Sequence, residues 1–323
     1  GFDGSGEALE VTDHNLDAIQ RVLTNQTGED EVASYVDLRT KINNAITAHA
    51  DILNAASTDD LTDIDEADYA AMGIDNVDTA NLASINDALI NTGNALTTAV
   101  SVQEVVDSYN HILDLRDDAT STIVLDAADF TDLGVTLKAA GTEQDKQLAY
   151  LQEIVEANVG NGDITTVAGL QALANATSDL IDLIQGTSPD SDGVSGLTVA
   201  QWALLGVTAA DAEEAAMFSA RLALTADDLS EVGDLVTDLA ARVQESRDSL
   251  AKIKLYAESD ASGDFDSSDT FDAADIPTVT DFENIGVVSY AVTKTFNETL
   301  TGSNGLLTLD GTVEQKAYHF DNY

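Results

Sequence analysis

The side chains whose spacing best suits chemistry lie in one acidic stretch, Asp264-Phe-Asp266-Ser-Ser268-Asp-Thr270-Phe271-Asp272-Ala-Ala-Asp275. Counted from Asp264, oxygen-bearing side chains fall at positions 1, 3, 5, 9 and 12, namely Asp264, Asp266, Ser268, Asp272 and Asp275. The Thr270 carbonyl stands at position 7 and the apolar Phe271 at position 8. That is the ligand order of an EF-hand-like loop, and hard oxygen donors suit calcium or magnesium and not zinc. Two residues depart from it. Asp269 replaces the turn glycine, and Asp275 is shorter than the usual closing Glu. A solvated acidic linker is the competing reading. Ser188-Pro-Asp190-Ser-Asp192-Gly193 has the first half of such a loop but Val199 where its last ligand belongs. Phe2-Asp3-Gly4-Ser5-Gly6-Glu7 has the form of a remnant.

Catalysis finds little to work with. Cysteine is absent, which removes disulfides, thiolate nucleophiles and zinc–sulfur sites. The four histidines, His14, His49, His111 and His319, show no metalloprotease spacing. His49 falls on an apolar stripe and His111 adjoins Ile112 and Leu113, so both are expected in the core. Gly193-Val-Ser195-Gly196 misses a nucleophile elbow by one position, and no Walker or dinucleotide glycine pattern occurs. Carboxylates are so abundant that a glycosidase-like pair would arise by chance. Asn25, Asn175 and Asn297 match the N-x-S/T rule but are read as idle. The expectation is no enzyme.

Charge narrows the class further. The 323 residues carry 59 acidic and 13 basic side chains, a net charge of −46. No basic stripe exists to displace counterions from phosphate, which argues against nucleic acid, and an anionic lipid surface is equally disfavoured. A hydrophobic content of 44% is enough to build a core. No apolar run approaches the roughly 18 residues that a membrane span requires. Four of the cations, Arg242, Arg247, Lys252 and Lys254, share one expected helix with Glu231, Asp234, Asp238, Glu245 and Asp248, which reads as a locally balanced face. Elsewhere the surface repels itself unless ions screen it, as in salty or calcium-containing surroundings. The start at Gly1, with no initiator Met, suggests a processed or excised piece.

The elements that must carry these groups are helical and repetitive. Four segments share one pattern: Ile64 to Ile74, Leu125 to Val135, Leu197 to Val207 and Pro277 to Val287. In each, a capping residue (Asp65, Asp126, Thr198, Thr278) is followed three positions later by Asp68, Asp129, Gln201 or Asp281, which suits a reciprocal capping box. An aromatic follows, Tyr69, Phe130, Trp202 or Phe282, and four residues beyond it stands Gly73, Gly134, Gly206 or Gly286. Glycine suits the left-handed stop of a helix about two turns long. So short a helix cannot stand alone in water, and its ring must dock on longer neighbours.

Those neighbours show helical stripes over Ser34–Ala55, Ser101–Arg116, Thr166–Gln185 and Thr225–Glu258. Ser101-Val-Gln-Glu104 and Thr225-Ala-Asp-Asp228 read as their capping boxes. A trailing helix is expected at Thr79–Asn91, Glu143–Asn158 and Asp211–Leu222, and the fourth copy continues through Tyr290, Val292, Phe296 and Leu300. The opening Asp13–Thr24 reads as a trailing helix too. The expected fold class is all-α, a tandem array of degenerate three-helix bundle repeats. Its parts are a partial repeat at 1–32, repeats at 33–99, 100–162, 163–224 and 225–301, and a tail at 302–323. In that tail Leu306–Leu309 and Thr312–Phe320 suit a hairpin or a lead into another domain.

The strings VQEVVDSYNHIL (Val102–Leu113), VAGLQALANATSDLI (Val167–Ile181), ADYAAMGI (Ala67–Ile74) and ADFTDLGV (Ala128–Val135) resemble α-helical repeats of very large bacterial surface adhesins of the RTX, biofilm-associated type. The resemblance spans roughly residues 10–300. It implies an extracellular, non-enzymatic, modular chain whose repeats space or present a ligand-binding region. The partners implied are other modules of the same large chain. The expected role is a calcium-stiffened spacer or scaffold, with Asp264, Asp266, Ser268, Thr270, Asp272 and Asp275 as the metal site. A recognition module for a surface polysaccharide or protein is the alternative, and an acidic structural protein of a salt-loving organism a second.

Overall fold

The computed structural model describes residues 10–24, 34–118, 120–157, 164–185, 196–224, 235–259, 276–302 and 305–319. In chain order the helices are α1 (Leu16–Thr24), α2 (Tyr35–Ser57), α3 (Glu66–Met72), α4 (Leu82–Thr92), α5 (Ala99–Asp117), α6 (Ala127–Thr131), α7 (Thr142–Glu156), α8 (Val167–Gln185), α9 (Val199–Leu204), α10 (Ala212–Leu224), α11 (Leu235–Ser259) and α12 (Val279–Asn284). Two strands follow, β1 (Val288–Gly302) and β2 (Gly305–His319). The chain divides into two compact units, one of Gly1–Ser178 with Ala203–Gly206, the other of Asp179–Trp202 with Val207–Tyr323. Among the described residues the helical class holds through Asn284.

Four short helices (α3, α6, α9 and α12) are closed at both ends by their own residues. Asp65 accepts the N–H groups of Ala67 and Asp68, and Asp68 returns a carboxylate to the Asp65 N–H at 3.0 Å. Asp126 and Asp129 do the same in α6, and Thr278 and Asp281 in α12. In α9 the partners are Thr198 and Gln201, at 2.9 and 3.2 Å. Aspartate at the third helical position therefore closes the box although glutamate or glutamine is preferred there.

At the other end the glycines take φ of +81° (Gly73), +77° (Gly134), +83° (Gly206) and +82° (Gly286). Each glycine N–H bonds back to Ala70, Thr131, Ala203 or Glu283, at 3.0–3.1 Å. The next residue reaches the aromatic's carbonyl: Ile74 to Tyr69, Val135 to Phe130, Val207 to Trp202 and Val287 to Phe282, at 2.9–3.0 Å. This pair of bonds is the Schellman motif, and it satisfies carbonyls that a helix end otherwise orphans. The rings point inward as the sequence requires. Tyr69, Phe130 and Trp202 are fully buried, and Phe282 is half-buried.

The long helices share one buried register. Ala45, Ile46, Ala48, His49 and Ile52 of α2 are buried at the same intervals as Val105, Val106, Ser108, Tyr109 and Ile112 of α5. Leu173, Ala174, Ala176, Thr177 and Leu180 of α8 repeat the spacing. The stripe recurs every three or four residues, which puts these side chains on one helical face.

Two expectations are corrected. The capping box of α5 is Thr98 with Ser101, three residues ahead of Ser101–Glu104, because the helix begins at Ala99. Its counterpart at Thr225–Asp228 lies outside the described residues. The continuation through Tyr290, Val292, Phe296 and Leu300 is not a trailing helix. It is β1, paired antiparallel with β2 from Val288↔His319 to Gly302↔Gly305. The alternation of Tyr290, Val292, Lys294 and Phe296 with Thr293 and Thr295, rich in β-branched and aromatic residues, favours a strand. Asp310 and Gly311 lie inside β2, paired with Asn297 and Phe296.

Gly73 offers a direct test of the helix stop. A Cβ there would lie 2.8 Å from Arg21 Cβ and 2.9 Å from the Val22 backbone N, at a φ that L side chains rarely adopt. Gly73→Ala is expected to destabilise the fold by about 1–3 kcal/mol, read as a lower urea midpoint. Ala71→Gly, on the same helix, should cost only about 1 kcal/mol.

Candidate functional site

The six expected metal ligands, Asp264, Asp266, Ser268, Thr270, Asp272 and Asp275, lie outside the described residues, as do the loops at Ser188–Gly193 and Phe2–Glu7. Among the described residues, no group of three or more His, Asp and Glu side chains is arranged to hold a metal ion. His49 is buried on α2 as expected. Burial pushes its pKa down, against the Asp17 charge and the backbone carbonyls of Thr97 and His14, which pull it up. His111 is not a core residue. Its side chain is half-exposed, and Nδ1 sits 2.8 Å from Oδ1 of the buried Asp129.

What the structure brings together instead is a set of side chains that hold backbone. Within the first unit, Gln103 of α5 accepts the Asp75 N–H at 2.9 Å and donates to the Asp75 carbonyl at 3.3 Å. Gln171 of α8 treats Thr136 identically, at 2.7 and 3.2 Å. Asp75 and Thr136 each lie two residues past a left-handed glycine. Each glutamine also donates to the side chain four residues on, Asp107 or Asn175. One neutral amide thus fills a donor and an acceptor at once.

A second pair of contacts recurs on the trailing helices. Asp17 of α1 accepts the Val100 N–H at the start of α5, 3.0 Å away, and Asp87 of α4 accepts the Val167 N–H at the start of α8, 2.7 Å away. A carboxylate beside the free amides of a helix N-terminus is favourable. Four residues further, Arg21 donates to the Gly73 carbonyl at 2.9 Å and Asn91 to the Leu133 carbonyl at 2.8 Å. The signal was present in the sequence as the matched strings DAIQR and DALIN, and QEVVD and QALAN. Periodicity alone does not mark them, since polar residues on helix faces are ordinarily solvated.

The second unit uses its scarce cations between elements. Arg247 of α11 bonds Glu214 of α10 at 2.7 Å and donates to the Thr208 carbonyl, two residues past Gly206. Its guanidinium lies over the Phe218 ring, 5.4 Å from the centroid, and Phe218 meets Trp202 edge-on at 5.7 Å. The Trp202 indole donates to the Ala215 carbonyl at 3.2 Å. Arg221 pairs with Glu245, and Lys252 with Asp281 at 3.0 Å. The expected balance along a single helix face is therefore replaced, for these residues, by pairs that tie α11 to α10 and α12.

Two open clefts lie in the first unit. One, of about 620 Å³, is lined by the ends of α2 and α4, the start of α5 and the end of α6, with Asp59, Glu104 and Asp132 among its residues. The other, of about 520 Å³, is polar and lined by Asn76, Asp78, Asn81, Asp107, Asn110, His111, Asp114 and Ile123. Its amides bond one another: Asn81 donates to the Asn76 carbonyl and to Asn110, at 2.8 Å each, and Asn110 donates to the Asn76 carbonyl at 2.9 Å. No family model, curated protein or solved structure matches the chain.

Two measurements test this bonding. Gln171→Ala should cost about 0.5–1.5 kcal/mol, since both bonds to Thr136 are exposed and water replaces the lost partner, seen as a lower urea midpoint. Asp281 carries a pH signature. The Thr278 backbone N–H, with the Thr278 hydroxyl and Lys252, holds its carboxyl down to about 2 from 3.8. A depressed carboxyl contributes stability that is complete above its unfolded value and is lost as pH falls through the folded one. Between pH 5 and 2 the melting temperature of the native chain should therefore fall relative to that of Asp281→Asn. Parallel profiles would contradict the assignment.

Proposed function

We propose that this chain is a non-enzymatic spacer or scaffold segment of a large bacterial surface adhesin, extracellular and built as a tandem array of degenerate three-helix repeats. The observation that carries this reading is where the recurring polar side chains go. Gln103 and Gln171 grip equivalent backbone positions, and Asp17 and Asp87 cap equivalent helix starts. Side chains used to join one helical unit to the next suit a chain whose task is length and stiffness. The adhesin-like strings quoted above point the same way.

Calcium belongs to the same proposal. A net charge of −46 strains any compact arrangement, and divalent ions at acidic loops such as Asp264–Asp275 relieve that repulsion. An ion bound only by the ordered loop adds its binding free energy to the stability of the segment. Melting temperature is the readout. Millimolar calcium should raise it relative to EGTA, magnesium should do less, and Asp264→Asn with Asp266→Asn should remove the difference. Equal melting in calcium and EGTA would end the stiffening role.

The polar cleft of Asn76, Asp78, Asn81, Asp107 and Asn110 supports a second reading, a recognition module for a surface polysaccharide, since amides and carboxylates suit sugar hydroxyls. A glycan array separates the two readings, because a spacer gives no binding and a recognition module gives hits that Asp107→Ala removes.

A further inference from the structure

Two long helices make the same contact from the same place. In the shared buried register, Tyr109 of α5 stands where His49 stands in α2. The Tyr109 hydroxyl donates to the Ile164 carbonyl at 2.9 Å, three residues ahead of Val167, whose N–H Asp87 holds. His49 meets the Thr97 carbonyl, three residues ahead of Val100, whose N–H Asp17 holds. The His14 carbonyl, on the approach to α1, lies against the same ring. One turn away, Ala45 and Ile46 of α2 pack on Ile19 of α1. A single imidazole thus touches the lead-in to α1 and the lead-in to α5. A phenol has no proton to gain between pH 7.5 and 5.5, whereas an imidazole titrates there.

The surroundings of His49 favour the neutral ring. It is 7% exposed, and its Nε2 is buried with no hydrogen-bond partner among the described residues. The second N–H of an imidazolium would be enclosed there without an acceptor, which is costly. The charged groups that act on the ring come from the α1 side, where Asp17 favours the cation and His14 opposes it. Asp17 commits Oδ2 to the Val100 N–H, and its Oδ1 is buried and unbonded among the described residues. The other elements packed on α2, namely α3, α4 and the turn Gly93–Ala95, bring no charge that moves His49. Burial outweighs the attraction to Asp17 and pushes the imidazole down from 6.5. We propose that His49 is an acid-sensitive latch: neutral, it lets α1 and the start of α5 close on α2, and protonated, it lets them part. A histidine lowered by folding contributes stability that is complete above its unfolded value and is lost as pH falls through the folded one. The joint held by Tyr109 has no such response. In the proposed spacer the latch softens one joint in acid and leaves the next stiff, although it does not depend on that reading.

Amide hydrogen exchange of the full chain between about pH 7.5 and 5.5 reads the latch, with rates expressed as protection factors to remove their intrinsic pH dependence. Ordinary carboxylates stay ionised across this window. Protection across Leu16–Thr24 and at Val100 should fall by up to about tenfold, the limit for one group titrating from 6.5. Protection at Val167 should stay constant. His49→Tyr, which copies α5, and His49→Gln should both flatten the profile, and His14→Gln should leave it unchanged. A flat profile in the native chain overturns the proposal. So does an equal fall at Val167, or a response lost in His14→Gln. Titration of the His49 ring resonance by NMR in the native chain is a second measurement that needs no variant. A midpoint below 6.5 is expected, and one at or above 6.5 overturns the proposal.

Discussion

Where the chain stops each short helix it turns left-handed at a glycine, and two backbone bonds close behind it. That geometry fixes more than a helix end. With no Cβ at Gly73 the turn comes within reach of Arg21 and Val22, so the trailing helix can approach the backbone directly. The same approach occurs between Gly134 and Asn91, and between Gly286 and Ala220. Past Gly73 and Gly134, the residue two positions on presents its N–H and carbonyl to a glutamine of the next long helix. Ring burial, helix stop and inter-helix clasp thus follow from a single backbone conformation.

The electrostatics explain which side chains hold the joints. Every added carboxylate in so acidic a chain deepens a large negative field, and cations are few. Gln103, Gln147, Gln152 and Gln171 do the work of backbone recognition without charge. Gln147 is fully buried and bonds the Lys138 N–H at 2.8 Å and the Ala174 carbonyl at 2.7 Å. Gln152 bonds the Leu125 N–H and the Ile123 carbonyl. Aspartates appear where a helix N-terminus offers partial positive charge, as at Val100 and Val167. Arg221, Arg247 and Lys252 of the second unit bridge helices, where a cation beside a carboxylate is worth more than on an open face.

A joint of this kind also suits the proposed spacer role. In the first unit α1 and α4 each touch both a short-helix stop and the start of a later long helix, so the contacts overlap along the chain. Local unfolding of a single element then costs contacts on two sides.

Much of the helical pattern was legible from spacing: the capping residues, the ring at the fourth helical position, the glycine stop and the apolar stripes all depend on neighbours within a few residues. Short-range geometry is what periodicity encodes. Three matters were decided only by tertiary structure. Whether Gln103 or Gln171 faces water or backbone depends on a segment some thirty residues away, and local pattern does not carry that distance. His111 looked apolar by its neighbours but lies at the edge of the stripe, where Asp129 of the short helix meets it. The Tyr290–Leu300 stretch supports either period in isolation, and its antiparallel partner across Gly302 and Gly305 chose the strand. Sequence determined the self-contained units of this protein; packing determined what they hold, because the donors and acceptors that join them are far apart in the chain.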